Sequence, residues 1–293
     1  MRRLLLLLPL LFCAFSTGHA RAITCAARSA PGTSRPAPRL ERVVVIVMEN
    51  KSCDEVIGSG DAPYLNGLAR RSAFAARSFA LTSPSLPNYL GLTGGSTFGI
   101  TTDCAGCRVR ATNLVDQLER ARISWKAYME GMPAPCYRGV QAGLYVKRHD
   151  PFAYYVDVTS RPSRCRRVVP FTQLRADLAR RALPRFVWIT PNLCDDMHSC
   201  SVRDGDRFLS ELVPELERAV GRRGAIVVTW DEGSAFGRQI PTIVAGPAAR
   251  AGARSLLAYD HYSLLRTIED AFGLPHLRGA ACPCTKPLSA LLR

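Results

Sequence analysis

Acidic, amide and imidazole side chains directly follow several short apolar runs of this sequence. In open α/β sheets ligands bind at the carboxyl ends of the strands, so such side chains are expected to meet at one edge of a sheet. Carboxylate and imidazole groups from several strand ends are what a divalent cation site needs. Asp and Asn also favour helix caps and turns, so the prediction rests on the whole set rather than on one pair. The residues are Glu49, Asn50, Asn192, Asp195, Asp196, His198, Asp231, Glu232, Asp260 and His261.

The segment 83–89 offers a candidate nucleophile, Ser85. Ser85 stands just before a predicted helix, where unpaired backbone N–H groups suit an incoming phosphate. Pro87 fits a first helical turn, because its missing N–H is not needed there. Ser83 precedes Pro84, which favours an extended conformation away from the helix start. Ser85 is therefore preferred over Ser83, and a plain serine cap is the alternative that the residues leave open.

These side chains need an alternation of strands and helices to bring them together. Unbroken apolar runs predict strands buried on both faces, and apolar residues at helical spacing predict the helices between them. Strands and helices in alternation predict an α/β fold with a largely parallel central sheet flanked by helices. The predicted strands are 43–48, 186–189, 225–230 and 240–245, and the predicted helices cover 64–69, 114–121 with Thr112 as cap, 208–220 and 264–272.

The first 22 residues are predicted to be a cleaved signal peptide. Arg2 and Arg3 form a basic start, and the uncharged apolar run 4–15 follows. Ala20 and Ala22 then give an A-x-A cleavage motif. The apolar run is too short for a membrane span, which needs about 20 residues. The sequence therefore predicts a secreted protein.

The rest of the chain divides into a flexible leader over 23–40 and one domain over 41–293. The 293 residues suffice for one large core and not for two full-sized enzyme domains. A lipid anchor on Cys25 is less favoured than the free secreted form, because Ile23 and Thr24 make a poor lipobox.

Ten of the eleven cysteines follow the predicted signal peptide, and an even number in an exported chain predicts disulfides. The alternative is a zinc site built on Cys104 and Cys107. A structural zinc site usually needs a second ligand pair, and Cys282 and Cys284 have the wrong spacing for one.

Two disulfides are predicted within loops. Cys194 and Cys200 flank the loop that holds His198, and Cys136 and Cys165 close the stretch 131–170, which is rich in Pro, Tyr and Arg. Because this stretch interrupts the strand–helix alternation, it is predicted to be a surface excursion near the site.

The formal charge of +15 comes from 35 arginines and four lysines against 24 acidic residues. Such a charge suits an anionic substrate, an anionic membrane surface or nucleic acid. The basic residues are scattered rather than clustered, so a solvated surface is an equal alternative. Neither a specific nucleic acid nor a protein partner is inferred.

Five ordered segments resemble the bacterial phosphoesterase family of acid phosphatases and phospholipases C, a branch of the alkaline phosphatase superfamily. The resemblance runs from about Val43 to Leu277. It implies an alkaline-phosphatase-like core over 41–293 and a metal-dependent phosphoesterase that forms a phosphoserine intermediate. The segments are Val-Met-Glu49-Asn50-x-Ser52-x-Asp54, Ser-Pro-Ser85-Leu-Pro-Asn88-Tyr, Pro-Asn192-Leu-Cys-Asp-Asp196-Met-His198, Thr-Trp-Asp231-Glu232-Gly and Tyr-Asp260-His261-Tyr-Ser.

The resemblance also implies roles for individual residues. One or two divalent ions of open identity would be held by Glu49, Asn50, Ser85, Asp231, Glu232 and Asp196. The implied catalytic residues are Ser85 as nucleophile, Asn88 as donor to a phosphoryl oxygen, and His198 and His261 as second-ion ligands, phosphate donors or leaving-group acids. Substrate contacts are implied for Asn88, His149 and Asn192. His149 lies in the segment Lys-Arg-His149-Asp-Pro-Phe, which resembles a recurring family segment, and a structural role is an equal alternative for it.

Two positions depart from the family pattern. Cys53 replaces an aromatic residue, and Glu232 stands where some members carry Asp.

The expected substrate is a phosphate ester, and four possible functions are compared. A phosphomonoesterase is preferred to a phospholipase C, because no additional lipid-binding domain accompanies the core. A sulfatase is disfavoured because the Cys-x-Pro-x-Arg segment is absent. A non-catalytic basic binding module is the alternative from another class, and it would not need carboxylates at strand ends.

Overall fold

The computed structural model describes residues 23–28, 35–234 and 238–293, so the predicted signal peptide over 1–22 lies outside the described residues. The described chain folds as an α/β protein. Its strands are β1 (Arg42–Met48), β2 (Ala73–Ala75), β3 (Ser78–Phe79), β4 (Trp125–Met129), β5 (Gln141–Ala142), β6 (Tyr145–Val146), β7 (Val168–Pro170), β8 (Phe186–Thr190), β9 (Gly224–Trp230), β10 (Gln239–Ile240), β11 (Thr242–Ala245), β12 (Ala253–Ser255) and β13 (Tyr259–Asp260).

Helices connect these strands and cover the sheet. The helices are α1 (Cys53–Val56), α2 (Pro63–Arg71), α3 (Ser85–Gly94), α4 (Leu114–Arg120), α5 (Val156–Thr159), α6 (Pro162–Cys165), α7 (Thr172–Ala179), α8 (Val202–Ala219), α9 (His261–Phe272) and α10 (Arg278–Ala281), with short 3-10 helices at Lys147–His149, Pro151–Ala153 and Leu288–Leu291. No helix of the described ranges is long and apolar enough to cross a membrane.

The main sheet has eight strands in the order β12-β2-β11-β9-β1-β8-β4-β7. β1 lies at its centre and pairs in parallel with β8 and β9. β11 pairs antiparallel with both of its neighbours, and the other seven strands share one direction. The prediction of a largely parallel central sheet flanked by helices is therefore confirmed.

The central strands are apolar because helices cover both faces of the sheet. Val44 and Ile46 point into one core cluster, and Val45 and Val47 point into the other. The predicted strand 240–245 is in fact two strands that meet at Pro241, which has no N–H to donate to a ladder. β10 leaves the main sheet there and pairs with β3.

Two details of the helices differ from the sequence predictions. α4 is capped by Asn113 rather than by Thr112, and Asn113 Oδ1 accepts a hydrogen bond from the Val115 N–H at 2.9 Å. Asp260 is the N-cap of α9 and accepts from the Ser263 N–H at 2.9 Å, so this strand-end acid serves the helix.

The stretch 131–170 is only partly a surface excursion. Its last strand, β7, joins the edge of the main sheet next to β4. Phe152 and Tyr155 are fully buried in the core. These aromatic residues follow neither a helical nor a strand period, so the sequence pattern did not reveal that they are interior.

All ten cysteines after the predicted signal peptide form disulfides, and the two predicted pairs are confirmed. The bonds are Cys25–Cys53, Cys104–Cys107, Cys136–Cys165, Cys194–Cys200 and Cys282–Cys284.

The described ends of the predicted leader pack against the domain. Cys25 is bonded to Cys53 of α1, and the Ala26 N–H donates to the Ala76 carbonyl at 2.8 Å. Ala37 and Leu40 are buried. In its described residues the segment 23–40 is thus part of the folded unit and not a free leader.

Candidate active site

Three buried carboxylates meet at the carboxyl ends of the central strands. Glu49 follows β1, Asp231 follows β9, and Asp196 lies in the loop after β8. All three side chains are fully buried. The Glu49 N–H donates to the Asp196 carbonyl at 2.8 Å, and the Asp231 N–H donates to the Met48 carbonyl at 3.0 Å. These backbone bonds fix the three strand ends side by side.

Ser85 reaches this carboxylate cluster from the first residue of α3. Its Oγ lies 3.2 Å from Glu49 Oε2 and 3.3 Å from Glu232 Oε1, and the side chain is 2% exposed. The start of a helix carries partial positive charge, which favours an anion beside Ser85. The structure therefore brings the predicted nucleophile to two of its predicted metal ligands.

Several buried polar atoms of this cluster make no hydrogen bond, which is costly unless a ligand compensates. The atoms are Asn50 Oδ1, Asp196 Oδ2, Asp231 Oδ2 and His149 Nε2. Three of the four are oxygens, the atoms that hard divalent cations prefer. The residues present thus fit a divalent cation.

Burial and mutual repulsion of the carboxylates shift their pKa values upward. Burial, with the nearby Asp231 and Asp196, raises the pKa of Glu49 well above its ordinary value. Burial and Glu232 raise the pKa of Asp231 to about 8, and burial with Asp231 raises that of Asp196 to about 8. Carboxylates held so close together ionise at neutral pH only when a positive charge lies among them.

His149 belongs to this cluster, although the sequence predicted it to contact substrate. Its Nε2 lies 3.3 Å from Glu49 Oε2, and its Nδ1 lies 3.5 Å from Asp196 Oδ2. One ligand atom from each of these three residues falls within 4.8 Å of the others. Burial and the cation Arg148 lower the pKa of His149 well below its ordinary value, and a neutral imidazole can bind a metal.

His198 and His261 were predicted to join Asp196 in the second half of the site, and the structure separates their roles. His261 is buried, and its Nε2 contacts the Asp231 backbone carbonyl, so it positions the Asp231 segment. Burial lowers the pKa of His261 to about 4. His198 is half-buried, and its Nε2 lies 3.4 Å from Arg148 Nη2. Of these two histidines, only His198 lies close to the carboxylate cluster with a side chain that is partly exposed to solvent.

Asn88 shapes the loop before α3 instead of facing a substrate. Its Oδ1 accepts from the Leu81 and Thr82 N–H groups at 3.0 and 3.1 Å. Its Nδ2 donates to the Thr82 and Pro84 carbonyls at 2.8 and 3.2 Å. These bonds use both amide hydrogens, so the predicted donation to a phosphoryl oxygen is not available in this arrangement.

Asn192 has a similar local role. Its Oδ1 accepts from the Cys194 and Asp195 N–H groups, and its Nδ2 donates to Asp195 Oδ2 at 2.9 Å. The side chain closes the turn after β8 and thereby places Asp196.

Three residues near the cluster escaped the sequence prediction. Tyr89 donates a hydrogen bond to Glu49 Oε1 and stacks on His149 with ring centroids 5.6 Å apart. Because Tyr89 is four residues after Ser85, helical spacing could have placed both on one face. Asp103 Oδ1 accepts from the Leu86 N–H at 2.9 Å, and Asp103 Oδ2 lies 3.6 Å from Arg148 Nε. No sequence pattern indicated Asp103 or Arg148.

The fold is similar to that of solved structures of the alkaline phosphatase superfamily. An alkaline phosphatase superfamily protein from Vibrio parahaemolyticus superposes with a TM-score of 0.58 at 12% identity, covering 86% of this chain and 73% of that one. Murine ectonucleotide pyrophosphatase/phosphodiesterase 5 gives a TM-score of 0.56 at 12% identity, covering 86% and 100%. At such identities the likeness establishes the fold alone.

More specifically, the chain belongs to the Phosphoesterase family, whose sequence profile matches residues 59–275. It is 35% identical over 241 residues to a phosphatidylinositol-3-phosphatase of Mycobacterium tuberculosis, covering 81% of this chain and 79% of the relative. It is 31% identical over 228 residues to a phosphate-repressible acid phosphatase of Penicillium chrysogenum, covering 73% of this chain and 55% of the relative. The chain thus spans about half of that fungal relative. It is a hydrolase that acts on phosphate esters, as the resemblance implied.

Proposed function

We propose that the protein is a secreted, divalent-cation-dependent phosphomonoesterase that uses Ser85 as its nucleophile. The observation that carries the proposal is the position of Ser85 Oγ, within 3.3 Å of Glu49 and Glu232 at the start of α3. A serine hydroxyl needs activation to attack phosphorus, and a helix start beside clustered carboxylates is suited to hold both an anion and a cation.

One or two cations would be held by two sets of donor residues, and the two sets share one residue. The first set is Glu49, Asn50, Ser85, Asp231 and Glu232, and the second is Glu49, His149 and Asp196. A bound divalent cation supplies charge stabilisation to the serine alkoxide and to the phosphoryl oxygens. The unpaired buried oxygens support this assignment, and the two sets allow one or two ions.

The residues of the chain then divide the reaction between them. Ser85 Oγ gives its proton to the Glu232 carboxylate, which lies 3.3 Å away, and forms a bond to phosphorus. The bond from phosphorus to the leaving oxygen breaks, and that oxygen takes a proton from half-exposed His198. Water then attacks the phosphoserine and gives one proton to His198, Ser85 Oγ regains its proton from Glu232, and inorganic phosphate is released. His261 and Tyr89 position Asp231 and Glu49 through the hydrogen bonds described above.

The names of the relatives support a monoester substrate. A phosphatidylinositol-3-phosphatase and acid phosphatases are all named for phosphate monoesters. A phospholipase C-type activity would instead cleave a diester. Comparing p-nitrophenyl phosphate with bis(p-nitrophenyl) phosphate separates the two: faster turnover of the monoester is expected, and faster turnover of the diester would contradict the proposal.

Secretion is supported by the disulfides and by the predicted signal peptide. Five disulfides in the described residues indicate an oxidising compartment. The Cys25 sulfur is bonded to Cys53, so in this state it cannot carry a thioether lipid.

The nucleophile is tested with a matched pair of serine variants. Ser85→Ala should lower kcat by several orders of magnitude, because the remaining site offers only positioning and charge stabilisation. Ser83→Ala, two residues away and exposed, should change kcat only slightly. Rapid-quench mass spectrometry should find phosphate on the peptide that holds Ser85. A fully active Ser85→Ala protein would reject the mechanism.

A further inference from the structure

Among the described residues, two large hydrophobic side chains are exposed, and both lie on one hairpin. Val140 is 61% exposed and Leu144 is 48% exposed. The hairpin, here called the apolar hairpin, comprises residues 140–147. β5 pairs with β6 within it, and the Lys147 N–H donates to the Val140 carbonyl at 2.9 Å.

The base of the apolar hairpin is firmly attached to the domain, so the exposure of its tip is built into the fold. Tyr145 is buried, and its hydroxyl donates to Asp150 Oδ2 at 3.2 Å. The Leu144 carbonyl accepts from the Leu193 N–H at 3.1 Å, which ties the turn to the loop after β8. A hairpin that is anchored and still presents two aliphatic side chains to water, Val140 at its base and Leu144 in its turn, is suited to contact another surface.

The same hairpin leads directly into the candidate active site. It continues into the 3-10 helix Lys147–His149, and His149 contacts Glu49 and Asp196. The loop that the Leu144 carbonyl contacts also holds His198. The hairpin is therefore joined to the carboxylate cluster by a short continuous segment and by one backbone hydrogen bond.

Basic side chains lie near the end of the hairpin where Lys147 pairs with Val140. Arg108 and Arg138 are exposed, and Lys147 and Arg148 are half-buried. Lys147 Nζ donates to the Ala105 carbonyl at 2.8 Å, which links the hairpin to the loop that bears Arg108. Burial, together with Arg108 and Arg138, lowers the pKa of Lys147 despite the opposing effect of Asp150, as expected for neighbouring cations.

We propose that the apolar hairpin is an interfacial element that docks on anionic lipid surfaces and presents phosphate monoesters of lipid head groups to Ser85. The part about lipid phosphate rests on the proposed phosphomonoesterase function. Two aliphatic side chains are too few for a stable protein interface, which takes about 20–30 residues on each side. A small apolar insertion with Lys and Arg nearby suits a membrane surface, where buried apolar area and attraction to anionic lipid act together.

The direct test changes the two aliphatic side chains. Val140→Ser with Leu144→Ser should weaken binding to phosphatidylcholine vesicles containing phosphatidylserine by about tenfold or more, measured by cosedimentation. Turnover of phosphatidylinositol monophosphate in such vesicles should fall in proportion, while turnover of p-nitrophenyl phosphate stays unchanged. The conservative pair Val140→Ile with Leu144→Met should bind vesicles like the unchanged protein. Equal binding by the serine and conservative variants would overturn the proposal.

A matched pair of charge variants tests the electrostatic part. Arg108→Gln should weaken binding to the anionic vesicles and make it less sensitive to salt. Arg120→Gln removes another exposed cation, which precedes the amino-terminal end of β4 whereas the hairpin follows its carboxyl end, and should leave binding unchanged. Equal effects of the two would reject a local lipid-binding surface.

The lipid-docking proposal and the proposed phosphomonoesterase function can be rejected separately. Vesicle binding without hydrolysis of p-nitrophenyl phosphate would keep the docking surface and reject the phosphomonoesterase. Hydrolysis of p-nitrophenyl phosphate without any binding to anionic vesicles would reject the docking surface and keep the enzyme.

Discussion

Two groups of carboxylates in this protein are stabilised in opposite ways: one is half-buried around an arginine, and the other is fully buried. Asp116, Glu119 and Asp157 surround Arg164, whose side chain is 5% exposed. Arg164 Nη1 lies 2.9 Å from Asp116 Oδ1, and its Nε lies 2.8 Å from Glu119 Oε2. This set, here called the Arg164 cluster, contains its own cation.

The cluster of Glu49, Asp196 and Asp231 contains no such cation. In the described residues the ion-pair contacts of Glu49 and Asp196 are with His149, whose pKa is lowered. Against the effect of burial, hydrogen bonds from Arg164 and the Asn113 N–H lower the pKa of Asp116, while burial and Asp116 raise the pKa of Asp157. At the site the pKa values of all three carboxylates are raised. Acidic residues paired with a cation of the chain stabilise the fold, and those buried without one indicate a binding site.

Among the substitutions that test this comparison, Asp231→Asn is expected to have the largest effect on metal binding and kcat. The amide binds divalent ions more weakly than the carboxylate, so bound metal should be lost and kcat should fall about a thousandfold. Stability of the metal-free protein should not fall, because one of the repelling carboxylates is removed. Metal analysis, p-nitrophenyl phosphate turnover and urea unfolding with chelator measure the three effects.

Asp116→Asn is the matched control in the Arg164 cluster. It should keep the metal and the activity but reduce the free energy of unfolding. Equal metal content in the two variants would break the distinction between the clusters.

Arg164→Met should act on the fold and spare the site. Removing the cation leaves Asp116, Glu119 and Asp157 without their partner, and breaking a buried pair costs about 3 kcal/mol. Urea unfolding should show the loss, while the metal content and KM of the folded protein stay the same. A variant with unchanged stability and reduced metal binding would reverse the roles of the two clusters.

Replacing Cys136 and Cys165 with Ser should reduce the stability of the same region by a similar amount. Cys165 neighbours Arg164, and the bond to Cys136 closes a loop with a sequence separation of 29. Losing this disulfide should reduce the free energy of unfolding by about 2–4 kcal/mol. Hydrogen exchange should show loosening around α6 before the ends of β1 and β9. Earlier exchange at those strand ends would contradict this order.

Glu269→Gln should have the smallest effect on metal binding and activity. It tests whether every buried carboxylate with an unpaired oxygen marks a metal site. Glu269 on α9 is buried, its Oε1 accepts from the Leu277 N–H at 2.9 Å, and its Oε2 has no partner. Burial raises its pKa from 4.5 to about 8. The folded state therefore prefers the protonated acid, and its contribution to stability is lost as pH rises from about 4.5 to about 8.

The Gln variant cannot ionise, so its stability relative to the unchanged protein should increase progressively from pH 5 to pH 8. Urea unfolding at both pH values measures the difference, and metal content should stay constant. A pH-independent difference would show that Glu269 ionises equally in both states.

The sequence predicted the centre of the fold better than its edges. β1, β8 and β9 are continuous apolar runs because helices cover both of their faces, and their ends marked the site. β2, β7 and β12 have three residues each, too few for a detectable pattern. Local sequence likewise could not show which polar side chains serve the backbone. The amide of Asn88 is used by the carbonyls of Thr82 and Pro84, a result of how the loop folds back.

Glu49 belongs to both proposed donor sets, so the two sets cannot fill independently. A first cation would neutralise part of the repulsion among the carboxylates and would also occupy oxygens that a second cation needs. Occupancy of the two sets is therefore linked, and by thermodynamic reciprocity each ion changes the affinity for the other by the same factor. A titration of the metal-free protein should depart from two independent binding isotherms, and Asp196→Asn should simplify it to a single one.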